Sequence, residues 1–289
     1  MTDVRDFPCD VCGSSRAEAI ACAPAYTKGQ PIHVCLDCGF VYVRRRRSAG
    51  AIAASWSDDL YQRAYTARIP AVRARHRYVA DTIDNELGLR GKRVVDIGAG
   101  EGHVLELIRS PEYGAEVFGI EPSAANCRRM SSHGIAAFDG TIEDYMAKGP
   151  AESRPFDIAT ILWTLENCQD CRAMLTAARA LVADGGHVVV ATGSRILVPF
   201  KKPLHYYLGD NAADTHCFRF SANSLTRLMQ RTGLARVSVN RYIDSEHLVA
   251  IGAKSGEGAA ANPRGDDPAE VLDFFRRWDA ETQAHFADA

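Results

Sequence analysis

Five short apolar runs recur between Val94 and Thr192: Val94–Ile97, Val117–Ile120, Ile135–Phe138, Phe156–Leu162 and Gly186–Thr192. Each is too short for a buried helix, and most are bounded by glycine, proline or an acid, which predicts strands buried on both faces. The segments between them carry apolar residues at intervals of three and four, the spacing of amphipathic helices. Strand and helix in alternation predict an α/β fold with a doubly wound parallel sheet. Upstream, residues 51–87 read as helical, with Tyr61, Tyr65, Ile69, Val72, Tyr78, Val79 and Ile83 as the apolar positions. Residues 254–268 have the composition of a linker. Beyond them Val271, Leu272, Phe274, Phe275 and Trp278 share one face of a last helix, expected to dock on the body or on another subunit.

The end of the first run holds the most specific chemistry. Asp96-Ile97-Gly98-Ala99-Gly100-Glu101-Gly102-His103 sets three glycines at alternate positions behind an acid, where a strand turns into a helix. Glycine there lets the backbone turn tightly and approach a ligand closely. A dinucleotide fingerprint counted from Gly98 needs glycine at position 103, and this chain has His103. A carboxylate beside the glycines repels a pyrophosphate but suits a cation. S-adenosylmethionine carries an ammonium and a sulfonium and has no phosphate. The segment resembles motif I of the class I S-adenosylmethionine-dependent methyltransferases.

The resemblance extends over about residues 88–253 and implies a Rossmann-like sheet of seven strands, the last two near Ala235–Arg241 and His247–Ala253. Glu121, closing the second run, is placed to accept both ribose hydroxyls, as the equivalent acid does in nucleotide-binding folds. It also stands beside the start of a helix that Ser123 caps; the glycines upstream favour the ribose. The resemblance puts the adenine near Thr141 and Ile142, Ile142 being equally readable as helix core. It adds Gly98, Ala99, Gly100, Gly102, Pro122 and Trp163 to Asp96 and Glu121 as cofactor contacts. Tyr65, one turn beyond Tyr61, is similar to a cofactor-covering segment of related small-molecule enzymes; an aromatic stripe packed on the sheet explains the pair equally well. After the fourth run, Trp163-Thr164-Leu165-Glu166-Asn167 lacks the Asp/Asn-Pro-Pro-Tyr/Phe of amine-methylating relatives. Asn167 also stands where sugar C-methyltransferases carry a histidine base, which argues against that mechanism.

Cys9-Asp10-Val11-Cys12-Gly13 and Cys35-Leu36-Asp37-Cys38-Gly39 are paired CxxCG knuckles, suited to a tetrahedral four-thiolate shell for structural zinc. A disulfide framework fits poorly, because the total of 9 cysteines is odd and no leader pattern stands before them. Cys168-Gln169-Asp170-Cys171 has no partner pair and reads as coincidence. The expected organisation is a zinc ribbon at 1–47, a helical lid or linker at 48–87, the core at 88–253, and a linker with a C-terminal helix at 254–289.

With 289 residues, 46% of them hydrophobic, the chain can bury one large core plus an appendage. No apolar run approaches the ~20 residues of a membrane span, and a cytoplasmic enzyme is expected. A formal net charge of −2 supplies no general field for nucleic acid. Arg44-Arg45-Arg46-Arg47 is the exception: a solvated rim, a guide for a phosphorylated substrate, or an RNA contact.

The insertion after the fifth run, with Pro199–Tyr207 and Asp214–Ser221, is where such enzymes place substrate contacts. Its near-neutral bases are His205 and His216, with Tyr206 beside the first; ordering the loop is the competing role for His216. A four-cysteine ribbon before this core is similar to methyltransferases of sugar and polysaccharide pathways. The resemblance therefore implies O-methylation of a small hydroxylated metabolite, most simply a sugar or nucleotide sugar. Sugar C-methylation and rRNA methylation are the alternatives, and a homodimer is compatible.

Overall fold

The computed structural model describes residues 4–55, 69–149, 154–200, 202–209, 216–240, 247–255 and 264–286. The N-terminal lobe contains β1 (Val4–Asp6), β2 (Ala17–Ala19), β3 (His33–Cys35), β4 (Val41–Tyr42) and β5 (Arg45–Arg47). The body follows with β6 (Arg93–Ile97), β7 (Glu116–Glu121), β8 (Ala136–Asp139), β9 (Phe156–Leu162) and β10 (Val182–Thr192). After these come β11 (Phe218–Arg219), β12 (Leu234–Val239) and β13 (Leu248–Lys254).

One seven-stranded sheet runs in the order β12-β13-β10-β9-β6-β7-β8. Strands β6 to β10 pair in parallel, while β13 runs antiparallel to both its neighbours, so the sheet is mixed. Along β10 the side chains alternate between two cores. Val188 and Val190 share one with Leu175 and Ala178 of the Cys171–Leu181 helix and with Leu225 and Leu228 of the Ala222–Arg231 helix. Val189 and Ala191 share the other with Val79 and Ile83 of the Ile69–Leu87 helix and Leu105 of the His103–Arg109 helix. Burial on both faces is why the central runs are almost continuously apolar. At the edges β8 and β12 show exposed positions, as singly covered strands do.

Two readings of the chain need correction. The fifth run, read as starting at Gly186, belongs to a longer strand: β10 takes in Ala183–Gly185 as well, and its pairing with β9 slips register between Val182 and His187. Gly185 takes φ 78°, and a Cβ on Gly186 would lie 2.9 Å from the Asp157 carbonyl oxygen, so the glycines accommodate a bulge within the strand. The ribbon, for its part, is not closed by residues 1–47 alone. Strand β11 pairs antiparallel with β4, Phe218 opposite Tyr42, and completes a four-stranded sheet β11-β4-β3-β2.

The Pro268–Phe286 helix docks on the chain's own body, where Val271, Phe274, Phe275 and Trp278 pack with Val34, Val41, Leu204 and Leu208. Among the described residues no helix is long and apolar enough to cross a membrane. From β6 the sheet grows one way through β7 and the other through β9. The connections diverge there, leaving a crevice at the carboxyl ends of these strands, the usual ligand position in such sheets.

Candidate cofactor cleft and metal centre

That crevice is a cavity of about 670 Å³ lined by Asp96, Gly98, Ala99, Gly100, Glu121, Pro122, Thr141, Ile142 and Trp163. Nine of the eleven positions expected to touch the cofactor are thus brought to one wall. Gly102 lies just behind it as the N-cap of the His103–Arg109 helix at φ 79°. Tyr65 falls outside the described residues. Gly98 sits at φ 74°, and a Cβ there would collide with the Thr164 side chain, so the turn admits no larger residue.

The two acids at this turn are held by neutral groups. Asp96 is 3% exposed and accepts a hydrogen bond from Thr160 Oγ1 at 2.7 Å. Burial pushes its carboxyl up to about 7, against that hydrogen bond. Glu121 accepts from the Gly100 amide at 2.8 Å on one oxygen, and from the Ser123 amide at 3.0 Å and Asn126 Nδ2 at 3.3 Å on the other. Burial raises its pKa as well, opposed by the Ser123 and Gly100 amides. Glu121 thereby ties the glycine turn to the next helix, as its helix-start reading has it, while facing the cavity. Among the described residues neither acid has an ion-pair partner. Buried carboxylates without a countercharge favour a ligand that brings a cation and hydroxyl donors, which is the chemistry of S-adenosylmethionine.

The adenine-side positions start a helix. Thr141 caps Ile142–Lys148 in a capping box with Asp144, and Ile142 is buried at its first turn. Trp163, just past β9, adopts φ 55°, a left-handed conformation that costs a non-glycine residue roughly 1–3 kcal/mol. Its ring carries the Arg75 guanidinium 4.1 Å from the centroid and the His76 ring at 5.5 Å. Arg75 and His76 line the cavity, as do Ala49, Ile52 and Ala53 of the short Ala49–Ala54 helix. The sequence reading missed this wall. Its legible signal was spacing: His76 follows Val72 by four residues and precedes Ala80 by four, a polar residue on a buried helical face.

The residues expected to act as base are not brought to the cavity. His216 is bonded to Ser194 at 3.0 Å, and burial, followed by Arg219 and Lys202, pushes its pKa down to about 3. His205 and Tyr206 stack on the Leu204–Leu208 helix, whose Leu204 amide donates to Thr282 Oγ1 at 2.8 Å. That part of the insertion folds against the C-terminal helix because its apolar side, Leu204, Tyr207 and Leu208, joins the core around Trp278.

In the N-terminal lobe the sulfurs of Cys9, Cys12, Cys35 and Cys38 lie within 4.8 Å of one another. A tetrahedral Zn–S₄ shell with ~2.3 Å bonds puts its sulfurs roughly 3.8 Å apart, so the cluster is compatible with structural zinc. Gly13 and Gly39, at φ 81° and 71°, turn each knuckle so that their amides donate to the Cys9 and Cys35 carbonyls. Cys168 and Cys171 are not part of this cluster. The arginine quartet is also reassigned. Arg46 is 2% exposed and pairs with both oxygens of Asp10, at 2.6 and 3.0 Å, between the knuckle cysteines. It lies over the rings of Phe7 and Phe218 and donates to the carbonyls of Val43 and Gln169. Arg172 adds bonds to the Asp10 and Val11 carbonyls at 2.6 and 2.7 Å. The lobe is thereby clamped to the start of the Cys171–Leu181 helix.

The family described as "Methyltransferase domain" matches residues 71–239. The chain is similar to the ubiquinone biosynthesis O-methyltransferase of Cupriavidus pinatubonensis, 30% identical over 165 residues, or 54% of this chain and 66% of that protein. For the protein of the same name from Pseudomonas aeruginosa the identity is 36% over 118 residues, 39% of this chain and 49% of that one. The chain thus spans about half to two thirds of the length of these curated relatives. Among solved structures, a chain in the complex between the Haloferax volcanii Trm112 methyltransferase activator and a methyltransferase superposes with TM-score 0.53. Its identity is 15%, covering 69% of this chain and 98% of that one. A SAM-dependent methyltransferase from Thermotoga maritima gives TM-score 0.50 at 19% identity, covering 68% and 99%. At such identities the solved structures share the fold.

Proposed function

Because the chain belongs to this methyltransferase domain family, we propose that it is S-adenosylmethionine-dependent and methylates a hydroxyl oxygen on a small, flat, largely apolar acceptor. The observation that carries the cofactor half is the pair of buried acids at the glycine turn, Asp96 and Glu121, which have no countercharge among the described residues. When bound, S-adenosylmethionine supplies an electrophilic methyl on a sulfonium. In this reading Glu121 holds the ribose hydroxyls, Asp96 faces the ammonium, and Thr141 and Ile142 border the adenine. Arg75 supplies the positive charge for the amino-acid carboxylate. The chain's own work is alignment and removal of the acceptor's proton.

The acceptor half draws support from the relatives, which are named O-methyltransferases, and from the wall. Ala49, Ile52, Ala53 and Val72 offer no side-chain hydrogen bond, and Trp163, with Arg75 over its ring, adds a flat aromatic edge to the lining. A sugar needs a polar partner for nearly every hydroxyl, or its desolvation goes uncompensated. The arginine quartet has at most three guanidiniums to offer a sugar phosphate, since Arg46 is consumed inside the lobe. The sugar or nucleotide sugar suggested by the ribbon-plus-core organisation is therefore the second choice. Carbon methylation at the Asn167 side is disfavoured further, because that side chain donates to the Trp163 carbonyl at 2.8 Å and has no basic atom.

Two measurements test this reading. Glu121→Ala should weaken S-adenosylmethionine binding by about 1–3 kcal/mol in calorimetry, the scale of losing a charged hydrogen-bonding partner; unchanged affinity would remove Glu121 from the site. A mass-spectrometric acceptor screen pairing catechols and phenols with nucleotide sugars should show methylation in the first group. Turnover confined to the sugars would reverse the choice of acceptor.

A further inference from the structure

The hydroxyl-methylation reading leaves one task without an agent, because the histidines of the insertion are not at the cavity. One imidazole is. His76 projects from the inner face of the Ile69–Leu87 helix between Val72 and Ala80, and its ring lines the cavity. The ring centroid lies 5.5 Å from that of Trp163, the residue that follows β9 in a left-handed conformation. Among the described residues no group hydrogen-bonds to the nitrogens of His76. The other cavity-lining histidine, His103, is engaged by Glu101 at 2.8 Å and by Arg129 at 3.2 Å. Glu166, the remaining buried acid near this end, binds the Gly193 amide and does not line the cavity.

We infer that His76 is the catalytic residue that accepts the proton of the acceptor's hydroxyl, a role that rests on the hydroxyl-methylation reading above. Burial, and then the charges of Arg75 and His103, push the pKa of His76 down to about 4. At neutral pH the ring is therefore uncharged and has a lone pair to offer. In the step, the acceptor's O–H bond breaks and its proton passes to a ring nitrogen of His76. The oxygen's electron pair forms the new bond to the methyl carbon, and the carbon–sulfur bond breaks with its pair remaining on sulfur. The imidazolium then returns its proton to water through the open cavity. A weakly basic imidazole suits this order of events, since the hydroxyl becomes acidic only as the carbon–oxygen bond forms.

The test uses the full-length protein, the variants His76→Ala and His76→Gln, and two probes: catechol, and 4-nitrocatechol, whose hydroxyl ionises near neutrality without help. On catechol both variants should lose roughly 10²–10⁴-fold in kcat, the usual range for a general base. KM and the calorimetric affinity for S-adenosylmethionine should stay within about twofold of the parent, as expected when only a transition-state contact is removed. On 4-nitrocatechol the loss should shrink to less than about tenfold, since little proton transfer remains to be catalysed. Equal losses on both probes, or a fall in cofactor affinity, would give His76 a merely structural role and overturn the inference; so would full catechol turnover in His76→Gln. If the parent protein methylates neither probe nor any other hydroxyl acceptor, the underlying reading fails instead.

Discussion

Cys35→Ser should purify without zinc and with its N-terminal lobe unfolded, whereas the parent protein carries close to one zinc per chain. Four sulfurs within 4.8 Å form a shell that needs all its members. A structural zinc site contributes roughly 10–16 kcal/mol of apparent free energy in isolated fingers, as much as the whole stability of an ordinary domain, about 5–15 kcal/mol. The lobe's own strands are only two or three residues long, so apart from its contacts with the body the thiolate shell is its main internal tie. Hydrogen exchange should show protection lost across residues 4–47. It should also be lost in the Ala49–Ala54 helix, which follows β5 directly and forms part of the cavity wall. Elemental analysis finding no metal in a parent protein with an ordered lobe would refute this. Loss of turnover with zinc while the lobe stayed ordered would point to a metal that acts in the chemistry.

Arg46→Ala should cost about 3–5 kcal/mol in equilibrium unfolding, the range for removing one partner of a buried ion pair. The expected loss is large because Asp10, itself buried, would lose its countercharge and two guanidinium hydrogen bonds. The space between the rings of Phe7 and Phe218 would also empty. Arg45→Ala, one position away on the exposed side of β5, should stay within about 0.5 kcal/mol. Arg46→Met, which fills the space without the charge, should fall closer to the alanine variant than to the parent, since Asp10 still loses its counterion. Equal effects at Arg45 and Arg46 would mean that the quartet is a solvated rim after all.

What could be read from residues alone was whatever a local pattern dictates. Apolar runs marked the strands, and the glycines and Asp96 marked the turn. Glu121 marked the end of β7, and two spaced CxxC pairs marked the metal-compatible lobe. Each signal lies within a few residues because the physics that selects it is local. The misses share the opposite cause. Four identical arginines give no hint that the second-to-last alone points inward, since strand alternation shows only once β5 is known to be a strand. Phe218-Arg219 is too short for any periodicity, yet it closes the ribbon sheet from a distant part of the sequence. Glycines at 185 and 186 signal a turn and a bulge alike. His205 and His216 were ranked by chemistry and loop position, but the packing of Leu204 and Leu208 against Trp278 decided where that loop went. His76 was hidden among arginines, and its buried helical face became meaningful only with the cavity in view.

The pairing of Tyr42 with Phe218 sets an order for maturation. The lobe leaves the ribosome before the body, and its sheet cannot be completed until Phe218 has been made, on the order of ten seconds later at common synthesis rates. Non-local strand pairs of this kind form slowly because loop closure precedes any reward in contacts. In the interval four thiols, Phe7 and the apolar faces of β3 and β4 are uncovered. A nascent chain that meets zinc early can gather its knuckles and wait in a half-built lobe, whereas one starved of metal offers free thiols to oxidation and sticky strands to its neighbours. The yield of active protein in expression cultures should therefore follow zinc supply during synthesis more closely than zinc added after purification.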